Sequence, residues 1–261
     1  MLKCKVIILC GGRGTRLKEE TEFKPKPLVE VGGRPILWHI MKIYAHYGFN
    51  DFILCLGYKG EMIREYFLIY EIKNNDFTLQ LGNGKVKVFN KSQEENWKIT
   101  FVDTGEKAQT GSRVKQVEKY VDGDRFMLTY GDGVADIKID KIIQYHQKQG
   151  KIGTITGVHP PSRFGELLLK DSRILEFNEK PQVKEGFING GFFVFQKEFF
   201  QYLENNDNCY LEDKPLEKLV SDQQLSAYQH NGFWQCMDTQ RELDILNQLW
   251  ADNKAPWKVW T

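Results

Sequence analysis

The strongest constraint on this chain is a change of hydrophobic period that repeats along it. Lys5–Cys10 is a short apolar run of the kind that a strand buried on both faces requires. Pro35–Tyr47 instead spaces Ile36, Ile40, Ile43 and Tyr47 three or four apart, the period of a helix with one apolar stripe, and it stops at Gly48. Pro35 suits the first position of such a helix. Asp51–Leu56 returns to the strand pattern and Glu61–Tyr70 to the helical one. This alternation predicts a mostly parallel sheet with helices on both faces. The expected fold class is therefore α/β: a Rossmann-like, doubly wound, mixed but mostly parallel sheet with a small antiparallel annex.

The middle of the chain breaks the alternation. Phe77–Leu81 and Lys85–Phe89 flank Gly82-Asn83-Gly84, and Asn-Gly between two apolar runs signals a hairpin. Trp97–Val102 reads as a further strand, so residues 75–103 are expected to include antiparallel excursions. A helix from Ser112, a good N-cap, to Val121 follows, then a strand at Phe126–Tyr130 and a helix at Ile139–Gln149. After Gly150 come strands at Thr154–Val158, Glu166–Leu169, Ile174–Phe177 and Phe192–Phe195, and helices at Lys214–Ser221 and Glu242–Trp250. Thr239 and Glu242 form a T-x-x-E capping box ahead of the last helix. With no internal repeat and no Pro-, Gly- or Ser-rich linker, the 261 residues are expected to form one domain (1–261).

Charge and cysteine usage exclude several functions. Lys and Arg number 36 against 35 Asp and Glu. Such a balance provides no global attraction to nucleic acid or an anionic membrane, so an anion must be held by a local site. No apolar run is long enough to span a bilayer, and Lys3 and Lys5 precede a run too short for a secretory signal. The five cysteines are scattered, with no CxxC or CxxH pair, which argues against a zinc site or redox pair and for reduced thiols in a cytoplasmic protein. The five histidines have no metal-ligand spacing, and His39 and His46 are expected to be packing or surface residues. Trp257 and Trp260 should either fold back on the domain or cover a subunit contact, the latter as part of a homo-oligomer.

The first strand runs into Leu9-Cys10-Gly11-Gly12-Arg13-Gly14-Thr15-Arg16-Leu17. Glycines directly after a first strand let the backbone bend and bring N–H groups to an anion. The loop is neither a complete dinucleotide fingerprint, since Leu17 stands at the third glycine position counted from Gly12, nor a Walker A loop. Arg13 and Arg16 add fixed positive charge suited to polyphosphate oxygens. In Phe23-Lys24-Pro25-Lys26-Pro27-Leu28 two prolines stiffen the backbone, so Lys24 and Lys26 are expected to point the same way.

Together, Gly11-Gly12-Arg13-Gly14-Thr15-Arg16-Leu17 and Lys24-Pro25-Lys26-Pro27 resemble the signature of the sugar-1-phosphate nucleotidyltransferases. Pro35–Met41, Tyr130-Gly131-Asp132-Gly133-Val134-Ala135-Asp136, Asn189-Gly190-Gly191-Phe192-Phe193 and Trp234–Thr239 look most like the glucose-1-phosphate cytidylyltransferase group of that family. The resemblance implies CTP and glucose 1-phosphate as substrates, CDP-glucose and pyrophosphate as products, and Mg²⁺ as cofactor. It implies a nucleotide-binding part over about 1–150, and a sugar-binding annex with the C-terminal helix over about 151–261. Arg16, Lys26, Asp132 and Asp238 would be catalytic, with Asp132 and Asp238 on the metal. Leu9, Gly11, Gly12, Arg13, Gly14, Thr15, Lys26, Gly111, Arg113 and Gly131 would bind the nucleotide, with Gly111 and Arg113 at the base. Gly165, Glu179, Lys180, Asn189 and Gly190 would bind the sugar phosphate.

The residues themselves suit that chemistry. A strand-end carboxylate between two glycines, as at Asp132, is where ligands of open α/β sheets bind, and Mg²⁺ takes one or two carboxylates. Asp136 is either a second acidic group or the cap of the following helix. Asp238 precedes a capping box, where the helix dipole alone would favour it. Three readings stay open: this transfer or the same chemistry with UTP, dTTP or another sugar 1-phosphate, an NAD(P)-dependent oxidoreductase, and a non-catalytic nucleotide-binding module.

Overall fold

The computed structural model describes residues 4–89, 95–160, 166–170, 173–178 and 186–260. The first half contains β1 (Lys5–Leu9), α1 (Lys18–Thr21), β2 (Glu30–Val31), β3 (Arg34–Pro35), α2 (Ile36–His46), β4 (Asp51–Leu56), α3 (Gly60–Leu68) and α4 (Tyr70–Asn74). It continues through the hairpin β5 (Phe77–Gln80) and β6 (Lys85–Val88), then β7 (Lys98–Asp103), α5 (Thr110–Gln116), β8 (Arg125–Tyr130), β9 (Gly133–Ala135) and α6 (Ile139–Gln149). The second half contains β10 (Gly153–Val158), β11 (Glu166–Lys170), β12 (Arg173–Asn178), β13 (Ile188–Gln196), α7 (Lys214–Ser221), β14 (Leu225–His230), β15 (Trp234–Cys236) and α8 (Gln240–Ala251).

Seven strands from both halves form one central sheet in the order β14-β10-β13-β8-β1-β4-β7, and β13 alone runs against the rest. The fold is the doubly wound, mostly parallel α/β sheet expected from the alternation. Side chains alternate across the strands, so two cores form. Val6 and Ile8 of β1, Phe52 and Leu54 of β4, and Phe192 and Val194 of β13 face α2, α6 and α8. Ile7, Leu9, Ile53, Phe193 and Phe195 face α5 and α7. Small antiparallel pairs β11–β12, β5–β6 and β9–β15 sit around the main sheet. Among the described residues no helix is long and apolar enough to cross a membrane.

Several local expectations change. The strand near Trp97–Val102 is β7, which pairs parallel with β4 as the sheet's edge and is no antiparallel excursion. Its partner offers the register Phe52↔Ile99 and Leu54↔Phe101, which brings half-buried apolar residues beside the core. Pro35 is extended (φ −52°, ψ 142°) and stands outside α2 as its N-cap. The helix expected from Ser112 begins at Thr110 after Gln109, and Ser112 lies inside it. Asp136 caps nothing: it lies 2.9 Å from His230, and α6 starts after Lys138 without a side-chain cap. The edge strand β14 has the polar sequence LSAYQH, which hides it from an apolar count.

The tryptophans fold back. Trp257 is fully buried and its Nε1 donates to Nδ1 of His39 (3.3 Å), while Nε2 of His39 donates to the carbonyl of Val31 (2.8 Å). Trp260 meets Trp38 edge-on at 5.6 Å between centroids. The two partners fix the neutral tautomer of His39, whose burial holds its pKa down at about 4.

Candidate active site

The chain steps outward from β1 to β4 to β7 and then crosses back to place β8 on the other edge of β1. Loops leaving β1 and β8 therefore diverge, opening a crevice at the carboxyl ends of the strands. A cleft of about 680 Å³ lies there, lined by Leu9 through Arg16, by Lys26 and Pro27, by Glu106 through Thr110 with Arg113, and by Tyr130, Gly131, Asp132, Asn208 and Asp238.

Its first wall is the glycine loop. Cys10 N donates to Cys55 O (2.9 Å) and Leu17 N to Gly14 O (3.0 Å); among the described residues the amides of Gly11 through Arg16 donate to no backbone carbonyl. They form a run of N–H donors available to an anion. Gly14 holds a positive φ of 62°, and a Cβ on it would come within 2.8 Å of Thr21. Gly131 lets β8 approach β1, its N donating to Leu9 O (3.1 Å), which a Cβ would meet at 2.7 Å.

The floor is a charged chain. Nζ of Lys26, 9% exposed, donates to Oδ2 of Asp132 at 2.6 Å and to Oδ1 of Asp238 at 2.5 Å. Arg16 Nη1 reaches the other Asp238 oxygen at 2.9 Å. Burial pulls the Lys26 ammonium toward release of its proton, but Asp132 and Asp238 outweigh that and raise its pKa above the ordinary lysine value. Lys26–Leu28 is a 3₁₀ turn behind the extended N-cap Pro25, closed by Leu28 N on Pro25 O (2.8 Å), and it turns Lys26 inward. Lys24 does not share that direction; it pairs with Glu20 at 3.5 Å on the surface.

Two short strands bring the carboxylates together. β9 pairs antiparallel with β15 (Gly133↔Cys236), and Met237 N donates to Asp132 O (2.8 Å). The capping box then fixes Asp238: the Glu242 carboxylate accepts from both Asp238 N (2.7 Å) and Thr239 N (2.8 Å). The capping role and the placement of Asp238 in the cleft hold at once. Among the described residues no three acidic, Cys or His side chains converge on one point, so a cation here would have two carboxylates.

The lips of the cleft meet where Arg13 pairs with Glu106 (2.7 Å), an exposed pair of small energetic weight. Arg113 is 4% exposed, and its guanidinium donates to Leu56 O (2.9 Å), Thr104 Oγ1 (2.7 Å), Gly105 O (2.8 Å) and Gly11 O (3.1 Å). Its terminal N–H groups are thus engaged by the loops at this end of the cleft, which they hold together. Gly111 faces away from the cleft, where a Cβ would lie 2.7 Å from Cys209 Sγ.

A nucleotidyl transferase family model matches residues 5–252. The chain belongs to the nucleotidyl transferase family. This nucleotidyltransferase is 47% identical over 257 residues to a protein named glucose-1-phosphate cytidylyltransferase from Salmonella typhimurium (strain LT2), covering 98% of the chain and 99% of the relative. The protein of that name from Salmonella typhi matches equally, at 47% over 257 residues with the same coverage. In fold it is similar to the inositol-1-phosphate CTP transferase from T. maritima, with a TM-score of 0.67 at 15% identity, over 100% of this chain and 98% of that one.

On the far side of Tyr130 the nucleotidyltransferase places Asn189 and Gly190 on β13. Asn189 Nδ2 donates to the Tyr130 hydroxyl (3.1 Å), and Asn189 Oδ1 accepts from Gly191 N (2.9 Å). Gly190 packs inside the sheet, where a Cβ would meet Val158 at 2.5 Å, and its carbonyl accepts from Trp234 Nε1 (2.9 Å). The sugar-phosphate expectations at Gly165, Glu179 and Lys180 lie outside the described residues. Tyr130, Glu106 and Thr110 line the cleft without having been singled out from sequence. Tyr130 could have been found as the last residue of a strand leading into Gly-Asp-Gly; Glu106 and Thr110 carry no such signal.

Proposed function

We propose that this nucleotidyltransferase transfers a cytidylyl group from CTP to glucose 1-phosphate, giving CDP-glucose and pyrophosphate. The observation that carries the reading is the Lys26 ammonium held between Asp132 and Asp238 at the floor of a cleft walled by loop amides that, among the described residues, donate to no backbone carbonyl. The near-full-length relatives named for this reaction supply the choice of substrates.

Two carboxylates that already meet at one cation suit a divalent cation with hard-oxygen preferences, and Asp132 and Asp238 would hold Mg²⁺. When bound, Mg²⁺ supplies Lewis-acid stabilisation of phosphate oxygens. Lys26 and Arg16 sit beside the carboxylates, and phosphate oxygens entering the cleft offer them a second set of partners. The glycine-loop amides neutralise charge on the triphosphate. An oxygen of the sugar phosphate attacks the α-phosphorus, and the bond to the β-phosphate bridging oxygen breaks. Pyrophosphate leaves with that electron pair, stabilised by Lys26 and Arg16. The attacking group is already anionic near neutral pH, so no general base is needed.

The same reading assigns residues 1–150 to the nucleotide and 151–261 to the sugar and the closing helix, within one unit. It keeps a homo-oligomer, with the half-exposed apolar face of the β5–β6 hairpin (Phe77, Leu79, Val86) as surface that assembly would cover; light scattering of the purified chain measures this. The test of the reaction is pyrophosphate release from glucose 1-phosphate with Mg²⁺ and CTP, UTP, dTTP, ATP or GTP in parallel. Release with CTP is expected. Preference for another nucleotide overturns the base assignment, and no release with any overturns the reading.

A further inference from the structure

One group of side chains joins the two sides of the cleft and has no part in the mechanism above. Glu212 lies in the loop before α7. Its Oε1 accepts from the Tyr130 hydroxyl at 2.5 Å and its Oε2 from the Thr110 hydroxyl at 2.6 Å. Thr110 in turn accepts from Leu211 N (2.9 Å). Every donor in the line can be assigned: Leu211 N–H to Thr110, Thr110 and Tyr130 to the carboxylate, Asn189 Nδ2 to Tyr130, and Gly191 N–H to Asn189. The line runs from the first turn of α5 on the base side, across the end of β8, to β13.

Two further observations show that the Tyr130 ring has a single seat. Gly191 has a φ of 78°, and a Cβ there would lie 2.4 Å from the ring, so the glycine leaves the space the ring occupies. Phe193 meets the ring edge-on at 5.8 Å. Burial and the neighbouring Glu212 charge push the phenol far above its usual pKa, so it remains a donor. With its Oδ1 and one Nδ2 hydrogen used, the other Nδ2 hydrogen of Asn189 has no acceptor among the described residues and is available to a ligand.

We propose that Glu212 is a positioning residue, holding the Tyr130 and Thr110 hydroxyls at once so that Asn189 is presented to the acceptor sugar phosphate in register with the nucleotide wall. This rests on the reaction proposed above. Hydroxyl-to-carboxylate bonds of this length are charge-assisted, and losing one corresponds to about a tenfold change in an equilibrium.

The test is steady-state kinetics on Glu212→Ala, Glu212→Gln, Tyr130→Phe and the Glu212→Ala/Tyr130→Phe double variant, with the sugar phosphate and nucleotide varied separately. Glu212→Ala should raise the sugar-phosphate KM by about tenfold, the nucleotide KM far less, and leave the melting temperature within a few degrees. Gln keeps an acceptor for Tyr130 and a donor for Thr110, so Glu212→Gln should recover most of that loss. The double variant should lose less than the sum of the two single losses, since both single variants delete the Tyr130–Glu212 bond. An unchanged sugar-phosphate KM in Glu212→Ala, or additive losses in the double variant, overturns the inference while leaving the reaction intact. A wild-type chain that turns over none of the substrate pairs overturns the reaction itself, and this inference with it.

Discussion

Replacing Lys26 by Met removes one buried positive charge and keeps most of the stem. In the parent chain one oxygen of Asp132 and one of Asp238 both touch Nζ, so those oxygens lie no more than about 5 Å apart. Two unit charges at that separation repel by about 3 kcal/mol at an effective dielectric constant of about 20. The two carboxylate side chains keep 31% and 19% of their surface exposed, so solvent screening and rotation reduce the net loss to about 1–2 kcal/mol. In a chain of this length that lowers Tm by about 2–8 °C. A divalent cation should then restore the variant more than it raises the wild type, because in the wild type it competes with the ammonium. At ten times its Kd it contributes about 1.4 kcal/mol. Thermal melts of both proteins in MgCl₂ and in NaCl of matched ionic strength measure all of this. A Lys26→Met variant that melts with the wild type in NaCl, or shares its response to Mg²⁺, refutes the reasoning.

Other outcomes follow from single contacts. His39 and His146 are both held near pKa 4 by burial against an unfolded value of 6.5, so the unfolded chain binds more protons between these values. Stability should be fully present above pH 6.5 and fall as pH drops toward 4, by about 1 kcal/mol per pH unit for each histidine. Urea midpoints at pH 7, 6 and 5 read this, and a flat profile contradicts it. Asp132→Asn should abolish nearly all turnover with little change in melting, and activity near wild type would remove Asp132 from the chemistry. Trp257→Ala should cost about 3–5 kcal/mol as a large buried ring is lost, measured by denaturant unfolding; a loss below 1 kcal/mol would mean that the Trp257 site collapses around the gap.

The elements easiest to read in the sequence were those whose own residues impose a period or a cap. α6 begins and ends where its apolar spacing does, at Ile139 and Gln149, and the Thr239–Glu242 box is present with both bonds made. β14 was not legible because an edge strand needs few apolar residues, and the direction of β7 depends on a partner more than forty residues away. In the cleft, the glycine loop and Asp132 carry a local signature, since tight turns and strand ends have residue requirements. Lys24 and Lys26 look alike in sequence; the 3₁₀ turn separates them, one facing in and one out. Glu212 could not be seen at all, because its partners Tyr130 and Thr110 are 82 and 102 residues away and an isolated glutamate before a helix implies nothing.

The contact between His39 and Trp257 also has a consequence in time. They are separated by 218 positions, and at about 5–20 residues per second a ribosome delivers the second roughly 10–40 s after the first. Throughout that interval α2 has emerged, while Phe233, Trp250 and Trp257, which close over it, have not. Until they do, His39 lacks the burial that holds its pKa down in the finished fold, and it can carry a proton that the finished fold excludes. One face of the nascent domain is thus left apolar and open until Trp250 and Trp257 emerge, and closing that aromatic lid requires His39 to give up any proton it carries.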